Sequence, residues 1–324
     1  MDATAPTFPT PKNLNLVELA QHFPDDAAAR AYLEATRWPD GAACPHCGTV
    51  GTAHRIAANP ERKVRAGLWQ CAEKACGKQF TVTVGTVFED SKVPLNKWLI
   101  AMYLICTSKK GIAALELQRL LGLGSYRTAW FMLHRIRESL KDPVFNGSPL
   151  RGIVEADATF VGGRSRPDRK YKGKKAVITV VERDGRARST VADGETREAV
   201  GPALKNARVD PSATLMTDGA RAYIEPGKAF AGGHHSVEHS AGEYVRGKGD
   251  GAVHTGTVDA YHGLFKRAHY GTYHKLSHKY LARYVAEFDY RFSLRRISDG
   301  GRTVKALQGL DGKRLRLIDL KAKG

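Results

Sequence analysis

The sequence predicts a mixed α/β domain in its second half, preceded by a small cysteine-rich domain and a helical region. Four cysteines stand in two close pairs, apolar residues then recur at helical spacing, and β-branched runs separated by turn signals follow. The chain has 324 residues, of which 42% are hydrophobic. It is therefore long enough to bury more than one core.

The net charge of the chain is +18, which favours a polyanionic partner, and nucleic acid is the first candidate. A membrane surface is the alternative. However, the sequence has no apolar run of about 18 residues, no signal peptide and no basic amphipathic anchor. We therefore expect a cytoplasmic protein with no membrane partner.

The cysteine pairs predict a zinc site. Cys44 and Cys47 lie in CPHC, Cys71 and Cys76 lie in CAEKAC, and a glycine follows each pair. Two short hooks of this kind suit one structural Zn²⁺ with four thiolate ligands, because a cytoplasmic chain rarely forms disulfides. With strands expected from KVRAGLWQC and KQFTVTVGTVF, the pattern is typical of a zinc ribbon. Four unrelated buried thiols are the alternative.

Two helices are expected within residues 111–140, after an earlier helix that begins at Pro94. GLGS interrupts the apolar pattern, and Ser125 is a suitable cap for the second of the two helices. Helix, glycine-containing turn and helix form a helix-turn-helix pattern. An ordinary helical hairpin with a solvated basic face is the alternative.

The second of these helices would turn one face inward and one face towards DNA. The residues expected to be buried are Ala129, Met132, Leu133 and Ile136. The residues expected to point outward are Tyr126, Arg127, Thr128, His134, Arg135 and Arg137. Of these, Tyr126, Arg127 and Arg135 are candidates for contacts in a major groove. Lys109 and Lys110 would bind phosphates.

The second half of the chain follows KDPVFNGSP, residues 141–149, which has the composition of a linker. The expected elements are then a strand over residues 152–163, a hairpin that turns at Glu182–Arg186 and a helix over residues 196–208. Within residues 213–223 we expect a further strand that ends at Thr217-Asp218-Gly219. Strand, strand, strand, helix and strand in this order are typical of a ribonuclease-H-like domain, with a mixed sheet and flanking helices.

Two acids stand where such a domain needs carboxylates. Asp157 lies on the first strand, and Asp218 lies in the Thr-Asp-Gly that ends the last strand. Phosphodiester cleavage uses two Mg²⁺ or Mn²⁺ ions about 3.5–4 Å apart, and these ions prefer carboxylate oxygens. Glu155 shares a strand face with Asp157 and could support it. The alternatives are a salt-bridged strand residue for Asp157 and a turn residue for Asp218.

Several segments, in this order, resemble a known family. They are RWPDGAACPHCG, CGKQFTVTVGTVFEDSKVPLNKW, VEADATFVGG, TDGARAY and VHTGTVDAYHGLFKRAHYGTYHKLSHKYLARYVAEFDYRF. They are similar to segments of IS1595-family insertion-sequence transposases with an ISXO2-like transposase domain. The resemblance covers nearly the whole chain. It implies a DNA-binding zinc ribbon, a catalytic domain with an acidic triad that includes Asp157 and Asp218, and a location at the bacterial nucleoid.

The third motif of the family departs from its usual form here. The family usually has His-Thr-Asn-Thr-(Val/Ile)-Glu. In this chain the motif starts at His254, with Gly256 in place of the Asn and Asp259 in place of the Glu. We predict that Asp259 is the third catalytic acid, that Lys266 acts beside it and that Arg267 contacts DNA. Impaired catalysis through these changes is the alternative.

The sequence thus predicts a DNA transposase that binds the terminal repeats of an insertion sequence, cleaves its ends and joins them to target DNA. It would act as a dimer or higher oligomer on DNA. A domesticated DNA-binding protein with impaired catalysis is the alternative, and a nuclease that cleaves without joining is a third interpretation. Glu155, His239 and His254 are candidate accessory residues.

We expect five segments along the chain. They are residues 1–92 for an N-terminal segment and the zinc ribbon, 93–141 for the helix-turn-helix region, 142–151 for a linker, 152–300 for the catalytic domain and 301–324 for a basic tail.

Overall fold

A computed structural model describes residues 15–141, 147–162 and 173–321. The chain divides into two compact units. The first unit contains the described residues up to 108, residues 112–140 and the described residues from 297 onwards. The second unit contains residues 109–111 and the described residues from 141 to 296. Residues 142–146 of the expected linker, and Gly163 at the end of the first expected strand, lie outside the described residues. The division into five segments stays a prediction.

The helices and strands are numbered in chain order. The helices are α1 (Leu16–His22), α2 (Asp26–Arg37), α3 (Leu95–Thr107), α4 (Ala114–Leu120), α5 (Tyr126–Leu140), α6 (Arg197–Asn206), α7 (Ile224–Gly227), α8 (Gly256–Ala268), α9 (Leu281–Ser293), α10 (Asp299–Gln308) and α11 (Leu317–Lys321). The strands are β1 (His54–Ile56), β2 (Leu68–Gln70), β3 (Gln79–Phe80), β4 (Ile153–Val161), β5 (Lys175–Glu182), β6 (Ala187–Ala192), β7 (Thr214–Asp218) and β8 (His234–Val237). Within the described ranges, no helix has both the length and the apolar character needed to cross a membrane.

A three-stranded antiparallel sheet, in the order β1-β2-β3, lies at the centre of the cysteine-rich region. Trp69 of β2 pairs with Phe80 of β3. Both rings pack edge-to-face against the Trp38 ring that follows α2, with centroids 5.9 and 5.8 Å away. The aromatic residues therefore give this small sheet a core of its own.

The strand expected from KQFTVTVGTVF is shorter than predicted. It ends at Phe80, and turns follow. The Thr86 hydroxyl donates to the Thr83 carbonyl at 2.7 Å and accepts the Phe88 amide at 3.0 Å. The prediction is wrong for these residues because local side-chain hydrogen bonds compete with a strand ladder.

The two helices expected within residues 111–140 are α4 and α5. Ser125 caps α5 as predicted, since its hydroxyl accepts the Thr128 amide at 3.1 Å. α5 packs against α3 and α4. The residues expected to be buried, Ala129, Met132, Leu133 and Ile136, are buried.

The outward orientation predicted for three residues of α5 is wrong, because His134, Arg135 and Arg137 are buried. The Arg135 guanidinium lies 5.2 Å from the centre of the Trp98 ring and donates to the Glu89 carbonyl. An arginine can be buried in this way when its stem packs on apolar groups and its head finds aromatic and carbonyl partners. Arg135 is therefore too buried to serve as the DNA contact that the sequence predicted.

The second unit is built on a five-stranded sheet in the order β6-β5-β4-β7-β8. β4 is antiparallel to β5 and parallel to β7, and β8 is parallel to β7. β5 and β6 form the predicted hairpin. The sheet is mixed, as expected, and β4 lies at its centre.

Helices cover both faces of this sheet. On one face α6 packs over β5 and β6, and the core there includes Val154 and Leu204. On the other face α8 packs over β4 and β5 and α9 packs over β6, with a core that includes Val177 and Phe265. Successive residues of β4 point to opposite faces. The acids at alternate positions of β4 therefore point towards α8.

Candidate active site

Three carboxylates of the second unit meet at one edge of the large sheet. Asp157 lies on β4, Asp218 ends β7, and Glu195 lies between β6 and α6. One oxygen from each of these three residues, here called the acid cluster, lies within 4.8 Å of the others. Ala156 is paired with Thr217 across the two parallel strands, so the acids that follow them stand side by side.

Glu195 is the member of the acid cluster that the sequence pattern missed. It follows a hairpin strand and belongs to no recognised motif. The direction of the strands is the signal that could have placed Glu195 near Asp218. β5 is antiparallel to both β4 and β6, so β4, β6 and β7 all run the same way. An acid shortly after β6 therefore emerges at the same edge as Asp218.

Burial and neighbouring negative charges raise the pKa of two members of the acid cluster, Glu195 and Asp218. Burial, followed by the charges of Asp157 and Asp218, raises the pKa of Glu195 to about 7. Burial, followed by the charge of Asp157, also raises the pKa of Asp218. The Ala220 amide opposes this shift by donating to Asp218 Oδ1 at 3.1 Å. Like charges this close are unfavourable unless a proton or a cation lies between them.

The acid cluster fits a hard divalent cation. Glu195 Oε1 is buried and has no hydrogen-bond partner among the described residues. The Tyr223 hydroxyl is also buried and without a hydrogen-bond partner among the described residues. Mg²⁺ and Mn²⁺ prefer oxygen ligands of this kind. A cation bound there would both offset the repulsion and give the buried oxygen a partner.

Asp259 lies outside the acid cluster, on the helix that packs over the strand of Asp157. It stands in the first turn of α8, is exposed, and accepts the Thr255 hydroxyl at Oδ2 at 3.0 Å. It does not belong to the group of carboxylates within 4.8 Å of one another. Its charge is the smallest contribution to the raised pKa of Asp218, after burial and the charge of Asp157. Lys266 and Arg267 lie in the last turn of α8 and are exposed.

Glu155 is buried and points away from the acid cluster to the start of α8. Its Oε2 accepts the amides of Thr257 and Val258 at 2.7 and 3.0 Å. Its Oε1 lies 2.9 Å from Arg183 Nε and 3.3 Å from His254 Nδ1. The first amides of a helix have no partner within the helix, and a carboxylate also matches its positive end. Glu155 therefore fixes the start of α8 to the central strand.

Arg183 strengthens this attachment. It follows β5 and donates through Nη1 to the carbonyls of Asp250 and Ala252, at 2.7 and 3.0 Å. Its Nη2 donates to the His254 carbonyl at 3.3 Å. One guanidinium thus holds the segment that leads into α8.

Two histidines border the acid cluster. His239 Nε2 lies 3.4 Å from the Thr255 hydroxyl, and its charge lowers the pKa of Asp218, against the larger effect of burial. His262, on α8, is buried, and its Nδ1 lies 3.2 Å from Asp157 Oδ2. The sequence pattern singled out His239 and did not identify His262 as a site residue.

The four paired cysteines of the first unit form a second candidate metal site. One sulfur from each of them lies within 4.8 Å of the others. Cys44 and Cys76 Sγ are 3.8 Å apart, and Cys47 and Cys71 Sγ are 3.6 Å apart. A tetrahedron with Zn–S bonds of about 2.3 Å has sulfurs about 3.8 Å apart. The thiolates therefore fit one structural Zn²⁺ without a large rearrangement.

The remaining candidate DNA contacts are on the surface. Tyr126 and Arg127 are exposed at the start of α5, and Lys109 and Lys110 are exposed before α4. Arg267 is exposed near the end of α8. All five are accessible to a polyanion, and their role in DNA binding stays a prediction.

Comparison with known proteins agrees with this architecture. A family model described as a transposase zinc-ribbon domain matches residues 24–79, and a model described as an ISXO2-like transposase domain matches residues 149–293. A protein described as uncharacterized in transposable element ISH50, from Halobacterium salinarum, is 27% identical over 268 residues, which are 76% of this chain and 83% of that relative. With both domains present in this order, the chain belongs to the IS1595 family of insertion-sequence transposases.

Proposed function

We propose that this transposase cleaves the ends of an insertion sequence and joins a 3′-hydroxyl to target DNA, with Mg²⁺ or Mn²⁺ held by the acid cluster. The acid cluster is the observation that carries the proposal. The strand order β6-β5-β4-β7-β8, with helices on both faces, supports a ribonuclease-H-like catalytic domain. In such a domain, carboxylates from adjacent strands converge to hold catalytic metal ions.

The residues divide into distinct roles. Asp157, Asp218 and Glu195 would provide the oxygen ligands. Two divalent ions bound there would supply activation of the attacking water or hydroxyl and stabilisation of the leaving oxygen. Asp259 would complete the site from the first turn of α8. Lys266 lies seven residues further along the same helix, about two turns away, where its ammonium group would bind a DNA phosphate.

The first unit would provide much of the DNA binding. The chain carries a net charge of +18, and the zinc-ribbon match lies in this unit. Tyr126 and Arg127 would reach a major groove from the start of α5. From the second unit, Lys109, Lys110 and Arg267 would bind phosphates. Because transposition brings two ends of an element together, we expect at least two copies of the chain on DNA.

An end-processing assay tests this function. The substrate is end-labelled DNA that flanks the gene, incubated with the full-length chain and Mg²⁺ or Mn²⁺. We expect nicking and joining by the wild-type protein, and neither activity from Asp157→Asn or Asp218→Asn. The control is Asp184→Asn, which changes an exposed acid in the β5–β6 turn and should keep both activities.

The outcomes separate the three interpretations. Cleavage and joining that require both acids support a transposase. Cleavage without joining supports a nuclease. DNA binding by the wild-type protein without metal-dependent cleavage contradicts the proposal and supports a DNA-binding protein that has lost its catalytic activity.

A further inference from the structure

His262 connects α8, the helix that bears Asp259, directly to the acid cluster. It lies on α8 and is only 4% exposed. Its Nδ1 is 3.2 Å from Oδ2 of Asp157, on the central strand. A side chain of α8 thus contacts a member of the acid cluster directly.

The surroundings of His262 decide which nitrogen carries the proton. Nε2 is buried and has no hydrogen-bond partner among the described residues. A proton on Nε2 would therefore leave a buried donor without an acceptor, which is costly. The favoured arrangement places the proton on Nδ1, which donates it to the Asp157 carboxylate. This tautomer follows from the hydrogen-bond network.

The contact occupies one oxygen of Asp157 and leaves the other available. A carboxylate with one oxygen held by a donor has fewer accessible orientations. Groups that hydrogen-bond to metal ligands in this way typically change metal affinity or activity by about 10- to 100-fold when they are removed. Asp157 cannot be held as firmly by the strand backbone alone, because its χ angles remain free to rotate.

The helix that carries His262 is itself fixed to the same strand. Glu155, two residues before Asp157, accepts the amides at the start of α8. The positions of His262 and Asp157 relative to each other are therefore set by a second, independent contact between α8 and β4. Because the two elements are already held together, less conformational entropy is lost when the hydrogen bond between His262 and Asp157 forms.

We infer that His262 is a positioning residue that orients the Asp157 carboxylate for divalent metal binding. The inference rests on the proposed function, because it assumes that Asp157 is a metal ligand. His262 needs no contact with DNA for this role. Its contribution should appear in the affinity for metal in the absence of DNA.

Three substitutions of His262 separate orientation from packing. His262→Asn keeps an N–H donor close to the position of Nδ1, so it should hold Mn²⁺ within a few-fold of the wild-type affinity. His262→Gln places its donor one methylene further out, and His262→Leu removes the donor. Both should weaken Mn²⁺ binding about 10- to 100-fold. His235→Leu, at an exposed histidine of β8, is the control and should change nothing.

The measurement is Mn²⁺ binding to the full-length chain, loaded with zinc and free of DNA, by titration with electron paramagnetic resonance detection. Asp157→Asn is measured alongside. If His262→Leu does not fold, the Mn²⁺ affinities of His262→Asn and His262→Gln still test the role of His262. Equal affinity in all folded His262 variants, with loss of binding in Asp157→Asn, overturns the role of His262 alone. Unchanged binding in Asp157→Asn overturns the proposed metal centre itself.

Discussion

The carboxylate of Glu155, on the central strand, accepts the backbone amide of Thr257 at 2.7 Å, in the first turn of the helix that bears Asp259. A strand acid that sequence reasoning places beside the catalytic residues thus serves to hold that helix. The Glu155 side chain is buried, and Arg183 forms an ion pair with its carboxylate. We expect the helix position to depend on the charge of Glu155.

Glu155→Gln should loosen the start of α8. An amide in place of the carboxylate turns an NH₂ group towards donors that need an acceptor, and it leaves the Arg183 charge without a counterion. Breaking a buried pair in this way costs about 3–5 kcal/mol. Because the start of α8 would open more often, hydrogen exchange of peptides covering residues 253–268 should be faster than in the wild-type protein. Glu243→Gln, in the more exposed pair with Arg246, is the control and should leave exchange unchanged. Equal protection in both variants would show that Glu155 does not hold the helix.

Gly256→Ala should stabilise the second unit. Gly256 begins α8, and an added Cβ would meet its nearest neighbour, His254 Nδ1, at 3.4 Å, an ordinary contact. Because the backbone conformation suits other residues, the substitution mainly restricts the unfolded chain and should add about 0.4–1 kcal/mol. Slower hydrogen exchange in α8 would agree with this expectation. Faster exchange would show that the glycine is required for the start of the helix.

Arg135→Met should destabilise the first unit, whereas Arg127→Met should leave its stability almost unchanged. Arg135 is buried over Trp98, and burial lowers its pKa to about 10, so its loss should destabilise the first unit by about 1–3 kcal/mol. All four tryptophans lie in that unit, so urea unfolding followed by tryptophan fluorescence reports on it alone. Arg127 is exposed, so Arg127→Met should change stability by less than about 0.5 kcal/mol.

The same two variants should also separate in DNA binding. If Arg127 contacts a phosphate, the slope of log affinity against log salt should fall by about 1 in Arg127→Met. Folded Arg135→Met should keep the wild-type slope. The reverse pattern would restore Arg135 as a DNA contact and contradict its buried position.

The fold was largely predictable because it depends on signals that are local in sequence. The cysteine hooks, the Ser125 cap and the Glu182–Arg186 turn each act within a few residues, and the structure contains the expected elements. Arg135 was misplaced for a different reason. A single helix does not reveal how many neighbours enclose it, and α5 is covered on more sides than its apolar stripe suggests.

The acid cluster was predictable only in part for a similar reason. Asp157 and Asp218 stand on strands, where register brings neighbours together. Glu195 and His262 approach Asp157 from a loop and a helix far away in sequence, so their positions follow from tertiary packing. Asp259 was favoured because it matched a motif, and the motif contains no distance information.

Removal of zinc should unfold the small sheet. One zinc per chain is expected, released by strong chelators, with a red shift of tryptophan fluorescence as Trp38 and Trp69 become exposed. Cys47→Ser should abolish stoichiometric zinc binding, because three thiolates leave the tetrahedron open. Cys106→Ala changes a buried cysteine outside the site and should retain one zinc. Zinc retained by Cys47→Ser, or a folded sheet without zinc, would contradict the assignment.

The identity of the third metal ligand is tested most directly by the Mg²⁺ dependence of end cleavage in Glu195→Gln. Asp193→Asn, two residues away and exposed, is the matched control. We predict that Glu195→Gln lowers the cleavage rate at millimolar Mg²⁺ by more than about 100-fold, because even the outer partners of metal ligands are worth 10- to 100-fold. Asp193→Asn should cleave like the wild-type protein, and Asp259→Asn should be impaired less than Glu195→Gln. Full activity in Glu195→Gln together with loss of activity in Asp259→Asn would contradict the acid cluster and make Asp259 the third ligand.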